Sequence, residues 1–257
     1  MAEDRHRLRT SFMALALAFL TVPLAGCAST RSDTGATTEG ENYNDPAEGM
    51  NRKLFVFGQG LDNAVIKPVA QGYGELPRTA RKGLRNFVRN LAEPVTFAND
   101  VLQAKPSFAF GTLARFSINS TFGLLGFVDV ATDLGIIRHS EDFGQTLAVW
   151  GVPEGPYFFA PILGPLPPRD LVGLIADMAL NPLSWAGDDW VGYLNTGKFL
   201  VDGIDTRERA IETVEDLERT SLDYYATVRN LYRQNREFQI NDGQSEFDDL
   251  PDFDEFE

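Results

Sequence analysis

Residues able to do nucleophilic or metal chemistry are scarce in this chain. Cys27 is the single cysteine, which excludes an internal disulfide, a thiolate metal cluster and a C-x-x-C redox pair. His139 is the one histidine beyond residue 26, and zinc sites usually need several His or Cys ligands. Its acidic neighbours Glu141 and Asp142 suggest a triad, but sequence neighbours rarely face each other. We therefore predict that His139 lies on a surface loop and that the chain has no metal site.

A second chemical motif is an incomplete phosphate-binding loop. Residues 192–198 match G-x-x-x-x-G-K, but Phe199 follows where a P-loop needs Ser or Thr to hold magnesium. The residues before the match carry Trp and Gly and do not form the pattern of a buried strand. No G-x-S-x-G nucleophile elbow is present. We interpret the match as coincidence and predict no enzymatic activity and no cofactor.

The chemistry that the sequence does predict is lipidation of Cys27. Three arginines precede an apolar segment at residues 12–22, which at about 1.5 Å per residue is too short to cross a hydrocarbon core of about 30 Å. Residues 24–26 are Leu, Ala and Gly, as a signal peptidase requires before its cut. The pattern resembles the lipobox of bacterial lipoproteins. By the sorting rule of Gram-negative bacteria, Ala28 after the cysteine implies transfer to the outer membrane.

The organisation follows from composition. We predict a lipoprotein signal peptide at 1–26, a lipidated flexible tether at 27–44, a folded domain at 45–240 and an acidic disordered tail at 241–257. The tail carries eight acidic and no basic residues and accounts for −8 of the formal charge of −14. This balance argues against nucleic acid as a partner, since polyanion binding needs a basic face. Docking of the tail to a basic partner is a weaker interpretation than simple solvation.

Three segments of the middle are unusual for a soluble domain. A basic amphipathic helix is predicted after Pro77, because cations from Arg78 to Arg89 accompany Leu84, Phe87, Val88 and Leu91 at helical spacing. Its basic face could meet phosphate head groups or simply be solvated, and both interpretations remain open. Residues 107–128 are Phe-rich with Arg115 as the one charge. Their glycines and central polar cluster predict two short helices, buried or lying in the membrane interface.

The third segment, residues 149–168, is rich in Gly, Pro and aromatics, so it predicts an irregular apolar loop. Residues 142–149 predict a short strand, in a hairpin with residues 135–138. A helix is predicted at 169–179, and a long one from about Thr206 to Phe238, capped by Asp205 with Glu208 three residues on. The predicted class is mostly α.

A series of short motifs lies between Asp45 and Asn241. The first is the D-P-A-E-G-M-N-R run from Asp45 to Arg52, close to a D-P-L-E-G-x-N-R pattern. The others are, in chain order, Lys67–Pro68–Val69–Ala70, then Arg81, Gly83, Asn86, Phe87, Asn90, Leu91, Glu93 and Pro94, then Arg115, Phe116, Asn119, Gly123, Gly126 and Asp129, then the run from Glu141 to Leu147, and Gly155, Pro156, Tyr157, Pro161, Gly164, Pro165, Arg169 and Asp170. Taken in order, these motifs resemble the MlaA (VacJ) family of outer-membrane lipoproteins, whose pattern is D-P-L-E-G-x-N-R at the first motif. The acidic tail is not part of the shared pattern.

The resemblance implies a ring-like, mostly helical protein embedded in the inner leaflet of the outer membrane, with an amphipathic channel. It implies removal of mislocalised phospholipids from the outer leaflet and their transfer to a soluble, MlaC-like periplasmic carrier. It also implies association with a trimeric porin. A structural envelope lipoprotein and a secreted phospholipase remain as alternatives, although the latter needs a nucleophile and base that the sequence does not offer.

Within such a protein we predict roles for five residues. Arg115, Asp129, Arg169 and Asp170 are predicted to contribute polar lining to the channel, with an internal ion pair between two of them as the alternative. The segment around Phe143 is predicted to gate the channel, because it joins the predicted hairpin to the Pro/Gly-rich loop.

Overall fold

The computed structural model describes residues 44–185 and 189–244. The predicted signal peptide, Cys27, nearly all of the tether and the tail from residue 245 lie outside the described residues. Within these limits the chain is mostly helical, which confirms the predicted class.

The first half of the chain is a series of helices. Helix α1 continues through a π-helical turn, Asp62–Ile66, into α2, which carries Pro68 as its second residue. The helices are α1 Glu48–Leu61, α2 Lys67–Gly74, α3 Arg78–Asn90, α4 Glu93–Leu102, α5 Pro106–Thr121, α6 Val130–Asp133 and α7 Phe143–Val149.

The second half contains a two-stranded sheet. Strands β1 Phe159–Ala160 and β2 Gly164–Pro165 pair antiparallel inside the Gly/Pro-rich segment, which is otherwise irregular as predicted. Gly58 shows how closely the hairpin approaches α1, because a Cβ at this position would lie 2.8 Å from the Pro161 carbonyl oxygen. The remaining elements are α8 Pro168–Leu180, a 3-10 turn Pro182–Trp185, α9 Asp189–Arg209, α10 Ile211–Thr220 and α11 Tyr224–Ile240.

The Phe-rich segment forms one helix, α5, where two short helices were predicted. Beyond Thr121 the backbone turns through Leu124, Leu125 and Gly126, which all have positive φ. At Gly126 a Cβ would lie 2.4 Å from the Cβ of Asn90, so only glycine fits against α3. The polar cluster of the segment therefore lies within the helix and does not interrupt it.

The predicted strand at residues 142–149 is wrong, because these residues form α7. The Asp142 carboxylate accepts a hydrogen bond from the Gln145 backbone N–H at 3.0 Å, as an N-cap does. The hairpin predicted with residues 135–138 is absent, and the residues before α7 are irregular. The capping pattern D-x-x-Q was the local signal for a helix.

The predicted long helix from Thr206 to Phe238 is also wrong, because three helices cover this region. Helix α9 ends at Arg209, and α11 starts anew after Asp223, which caps it by accepting from the Ala226 N–H at 3.1 Å. Asp205 is not a cap; it lies inside α9. Residues 192–198 are also inside α9, where the backbone N–H groups are used by the helix, so no phosphate loop forms.

The helices contact one another in a closed cycle. Following the packing, α1 leads through the π-helical turn to α2, then to α9, α3, α5, α4, α7 and α11. The cycle closes where α11 meets α1 and the residues before it: Arg52 binds Asp223 with Nη1 at 3.0 Å, and Arg229 binds Asp45 at 2.9 Å. No helix in the described residues is long and apolar enough to cross a membrane.

Two glycines predict opposite effects of substitution by alanine, because Gly173 lies at a tight helix contact and Gly203 has open space beside it. A Cβ on Gly173 of α8 would lie 2.4 Å from the backbone nitrogen of Gly144 in α7, and backbone cannot move aside. Gly173→Ala should therefore lower the free energy of unfolding by about 1–3 kcal/mol through overpacking. Gly203→Ala, with no atom within 4 Å of the new methyl in α9, should raise it by about 0.5–1 kcal/mol. Denaturant titration of both variants in detergent would measure this, and equal effects would contradict the packing.

Candidate functional site

The interior of the domain is unusually polar. The largest fully buried side chains in the described residues include, besides Tyr157 and Pro167, Arg115, Asn51, Asn99, Thr112, Thr146, Asp100 and Asp205. In the described part of the chain, the buried apolar side chains that pack into a cluster are Phe55, Tyr157, Phe159 and Tyr225, between α1, the hairpin and α11. In soluble domains most fully buried side chains are apolar, and charged residues are almost never fully buried unless they are paired.

The exterior is correspondingly apolar. Helix α5 exposes Phe110 by 73%, and Phe122 just after it is 77% exposed. Other exposed large apolar side chains come from the turn after α5, from α8, from the 3-10 turn and from the start of α9: Leu124, Leu125, Leu171, Val172, Ile175, Met178, Trp185, Trp190 and Tyr193. Exposed apolar surface of this extent is typical of contact with a membrane or another protein.

The Arg115 side chain is the centre of one buried polar cluster. It is 2% exposed, and its Nη2 binds both carboxylate oxygens of Asp129 at 2.8 and 3.0 Å. Asn119 and Thr132 also donate to Asp129, at 3.0 and 2.7 Å. Burial raises the pKa of Asp129, but the hydrogen bonds from Thr132, Asn119 and Arg115 outweigh it, and the pKa lies below its ordinary value. Asp129 therefore stays ionised opposite Arg115.

A second cluster contains Arg169 and Asp170. The Arg169 Nε donates to Asp170 Oδ1 at 3.1 Å, and both side chains are buried at the start of α8. Arg236 of α11 bridges Asp170, at 3.0 Å, and Asp142, at 2.7 Å, while the Tyr232 hydroxyl also donates to Asp170. The structure thus brings Arg115 together with Asp129 and Arg169 together with Asp170, the internal pairs that were the alternative to channel lining.

The prediction for His139 is wrong in part, because the side chain is not a free surface group. Its Nε2 lies 2.8 Å from Asp100 Oδ1 and 3.3 Å from Thr112 Oγ1, and Thr112 donates to Asp100 at 2.6 Å. A nucleophile–base–carboxylate chain uses the two ring nitrogens in opposite directions. In this cluster the hydroxyl and the carboxylate both contact the same nitrogen, which is an arrangement for structure and not for proton relay.

A chain of buried hydrogen bonds connects α4, α7 and α8. Thr146 of α7 donates to Asn99 Oδ1 at 2.8 Å, and Asn99 Nδ2 donates to Asp177 Oδ1 at 2.9 Å. Asp177 also accepts the backbone N–H of Phe143 at 3.1 Å. Phe143 is thus tied to α8 at the first residue of α7, and its ring contacts Trp150 edge-on.

This chain of hydrogen bonds was not predicted from the sequence, although α4 carries a signal for it. Thr96, Asn99, Asp100 and Gln103 recur at i, i+3, i+4 and i+7, so they lie on one face of the helix, and all four are buried. A polar face at helical spacing was readable as a solvated surface, whereas the structure turns it inward. The partners on α5, α7 and α8 are distant in sequence and gave no local signal.

Comparisons with known proteins agree on one family. The family model described as MlaA lipoprotein matches residues 43–239. The chain is 36% identical to the intermembrane phospholipid transport system lipoprotein MlaA of Haemophilus influenzae, over 86% of this chain and 88% of that protein. The protein of that name in Escherichia coli (strain K12) is also 36% identical, over 89% of each chain. A solved structure reported as the structural basis for maintenance of bacterial outer membrane lipid asymmetry has a TM-score of 0.69 at 35% identity, covering 77% of this chain and 99% of that one.

The buried carboxylate of Asp177 predicts a pH dependence of stability. Burial raises its pKa to about 6, although hydrogen bonds from Asn99 and Phe143 oppose the rise. The folded state therefore binds more protons than the unfolded state between about pH 4 and 6, and stability falls as pH rises through that window. Asp177→Asn removes the charge. Its free energy of unfolding, measured relative to the wild type, should therefore rise across that window by up to about 3 kcal/mol.

Denaturant titrations at pH 4.5 and 7.5 would measure this gain. Asp133→Asn, on an exposed residue of α6, is the matched control and should show no such change between the two pH values. A constant difference between wild type and Asp177→Asn at both pH values would contradict the assignment.

Proposed function

The chain belongs to the MlaA lipoprotein family, and on that basis we propose that it maintains lipid asymmetry of the outer membrane through intermembrane phospholipid transport. It removes mislocalised phospholipids from the outer leaflet and passes them to a periplasmic carrier. The family model and the two named relatives cover most of the chain, so the proposal concerns the whole folded domain.

The observation that carries the proposal is the reversed polarity of the domain: a polar, ion-paired interior within an apolar surface. A phosphate group cannot cross hydrocarbon bare, because removing its water costs tens of kcal/mol in the idealised limit. A polar path removes most of that barrier while acyl chains stay on apolar surface. In this proposal the path lies inside the closed cycle of helices, and the acyl chains contact the exposed Phe110 and Phe122.

The placement and the partners are finer parts of the proposal. Lipid on Cys27 anchors the chain to the outer membrane, and two or three acyl chains at about 0.8 kcal/mol per buried methylene hold it there. The apolar surface sits in the inner leaflet, facing the periplasm. The partners are phospholipids, a trimeric outer-membrane porin and a soluble, MlaC-like lipid carrier.

Polar lining by Arg115, Asp129, Arg169 and Asp170 stays a proposal, and the geometry refines it. The Asp129 side chain is 23% exposed, whereas its partner Arg115 is 2% exposed. Asp129 is therefore the member that can meet a head group, and Arg115 holds it in place. Arg169 and Asp170 are both nearly buried and hold α8 and α11 together through Arg236.

The Phe143 segment remains our proposed gate, on altered grounds. The predicted hairpin that motivated it does not exist, but the segment still leads into the Gly/Pro-rich loop. Since Gly144 and Gly173 are in backbone contact, α7 can move only together with α8. The mobile unit is therefore the α7–α8 pair, and its motion has to break the contacts from Thr146 to α4.

Two other functions are less well supported. A phospholipase needs an activated nucleophile, and the one histidine of the described residues has both Asp100 and Thr112 on a single nitrogen. We propose that the chain is not an enzyme. A purely structural lipoprotein does not need a polar interior, since an apolar core of similar volume is often more stable than buried ion pairs.

Complementation of a deletion strain would test the function. Loss of the gene should increase phospholipid at the cell surface, measured with a membrane-impermeant amine-reactive label. The wild-type chain should restore the normal level, and Cys27→Ser should fail because the chain is released from the membrane. Asp129→Asn, which keeps the shape but removes the charge, should restore asymmetry only in part. Asp133→Asn is its matched control, and normal asymmetry in the deletion strain would refute the function.

A disulfide between α4 and α7 would test the gate. Asn99 and Thr146 are in side-chain contact, and Cys27 is the single natural cysteine, so Asn99→Cys with Thr146→Cys gives one new pair. Reconstituted in vesicles, the oxidised form should transfer fluorescent phospholipid to an acceptor more slowly than the reduced form of the same variant. The reduced form is the internal control. Equal rates in both forms would exclude motion of α7 away from α4.

A further inference from the structure

The basic face of α3 forms one wall of a cleft. Five cations recur along this helix at i, i+3, i+4, i+7 and i+11 and therefore share a face: Arg78, Arg81, Lys82, Arg85 and Arg89. That face lies against the end of α9 and the start of α10. The cleft between them has a volume of about 620 Å³, and its lining is Arg78, Arg81, Lys82, Arg85, Glu208, Arg209, Ile211 and Glu212.

Salt bridges within the domain neutralise part of this positive charge. Arg85 binds both oxygens of the buried Asp205, at 2.6 and 2.9 Å, and Arg209 shares that carboxylate at 3.1 Å. Arg81 binds Glu208 across the cleft. These contacts fasten α3 to α9, and Asp205, shared by two arginines, leaves their combined charge incompletely balanced.

The remaining cations have no carboxylate partner in the described part of the chain. Arg78 and Lys82 are exposed at the cleft and make no ion pair there. Arg89, one turn beyond Arg85 on the same face, makes neither an ion pair nor a side-chain hydrogen bond within the described ranges. Burial lowers the pKa of Arg89, and the positive charges of Arg138, Arg209 and Arg85 lower it further. Positive charge therefore exceeds negative charge along this wall.

We propose that this cleft binds the phosphate of a phospholipid head group. The inference rests on the proposed function and names a site for its substrate. Guanidinium groups match phosphate with paired N–H donors, and several cations around one concavity concentrate an anion there. A phosphodiester would supply the negative charge that Arg78 and Lys82 lack.

Apolar residues beside the cleft favour a lipid over a free anion or an acidic protein. Leu76 is 45% exposed, and its carbonyl accepts a hydrogen bond from Arg81 Nε at 3.2 Å, so it borders the cationic wall. Ile211 lies in the cleft lining itself. A free phosphate gains nothing from these side chains, whereas acyl chains leaving a bound head group would cover them.

Titration of the mature, lipidated chain in neutral detergent would test the site. The probe is short-chain phosphatidylglycerol, with short-chain diacylglycerol and inorganic phosphate as comparison ligands. The double variant Arg78→Gln with Lys82→Gln should bind phosphatidylglycerol about tenfold more weakly, as expected for losing two partly solvated ion contacts. Lys53→Gln with Arg219→Gln, which removes the same charge from exposed positions outside the cleft, should bind like the wild type.

The outcomes separate the ligand sources. Equal binding of phosphatidylglycerol by both double variants overturns the site, and so does equal binding of diacylglycerol and phosphatidylglycerol. Inorganic phosphate bound as tightly as the lipid overturns the lipid assignment in favour of a free anion. Binding of an acidic peptide, such as one with the sequence of residues 245–257, without binding of the lipid overturns it in favour of a protein. If the cleft variant loses no affinity but the wild type still restores asymmetry in cells, the proposed function stands and this inference alone fails.

Discussion

Buried charges have to be paired, and in this domain the pairing determines how the chain closes. An unpaired charge inside a protein is so costly that removing one partner of a buried pair typically destabilises by about 3–5 kcal/mol. The pairs here join elements far apart in sequence: Asp45 with Arg229, Arg85 with Asp205, and Asp142 with Arg236. The apolar cluster of the described residues is small, so these ion pairs hold together elements that a hydrophobic core would join in a soluble domain. They also specify partners, since each cation has to find its own carboxylate.

The same pairing explains how a domain can be apolar outside and still be folded. In a membrane, apolar side chains gain nothing from moving inward, because lipid tails are as favourable an environment for them as a protein core. Polar side chains then drive assembly from within, as Asn99, Thr146 and Asp177 do across three helices. A polar interior that is saturated by its own contacts is rigid, and a place where contacts are missing is open to a ligand. The cationic wall of α3 is such a place, because its residues Arg78 and Lys82 make no ion pair in the described part of the chain.

What could be predicted from the sequence depended on whether the signal was local. Helix α8 was predicted within a residue of its observed bounds, because Pro168 precedes a regular apolar pattern. Helix α7 was mistaken for a strand although Asp142 and Gln145 carry a capping signal, because the segment is short. The breaks between α9, α10 and α11 contain neither Gly nor Pro, so an uninterrupted apolar stripe hid them. His139 and Asp205 were misplaced because their partners, Asp100 and Arg85, lie 39 and 120 residues away.

The junction of the first and last described helices can form only after nearly the whole domain has been synthesised. Asp45 and Arg52 lie near the start of the domain, and their partners Arg229 and Asp223 lie 184 and 171 residues later. Until α11 has been synthesised, the Asp45 carboxylate has no Arg229 guanidinium to neutralise it and the cycle of helices stays open. Contacts of such sequence separation form late, and chains that await them expose apolar surface to aggregation. The apolar surface of the growing chain is therefore exposed to aggregation until α11, the last helix described, has been made.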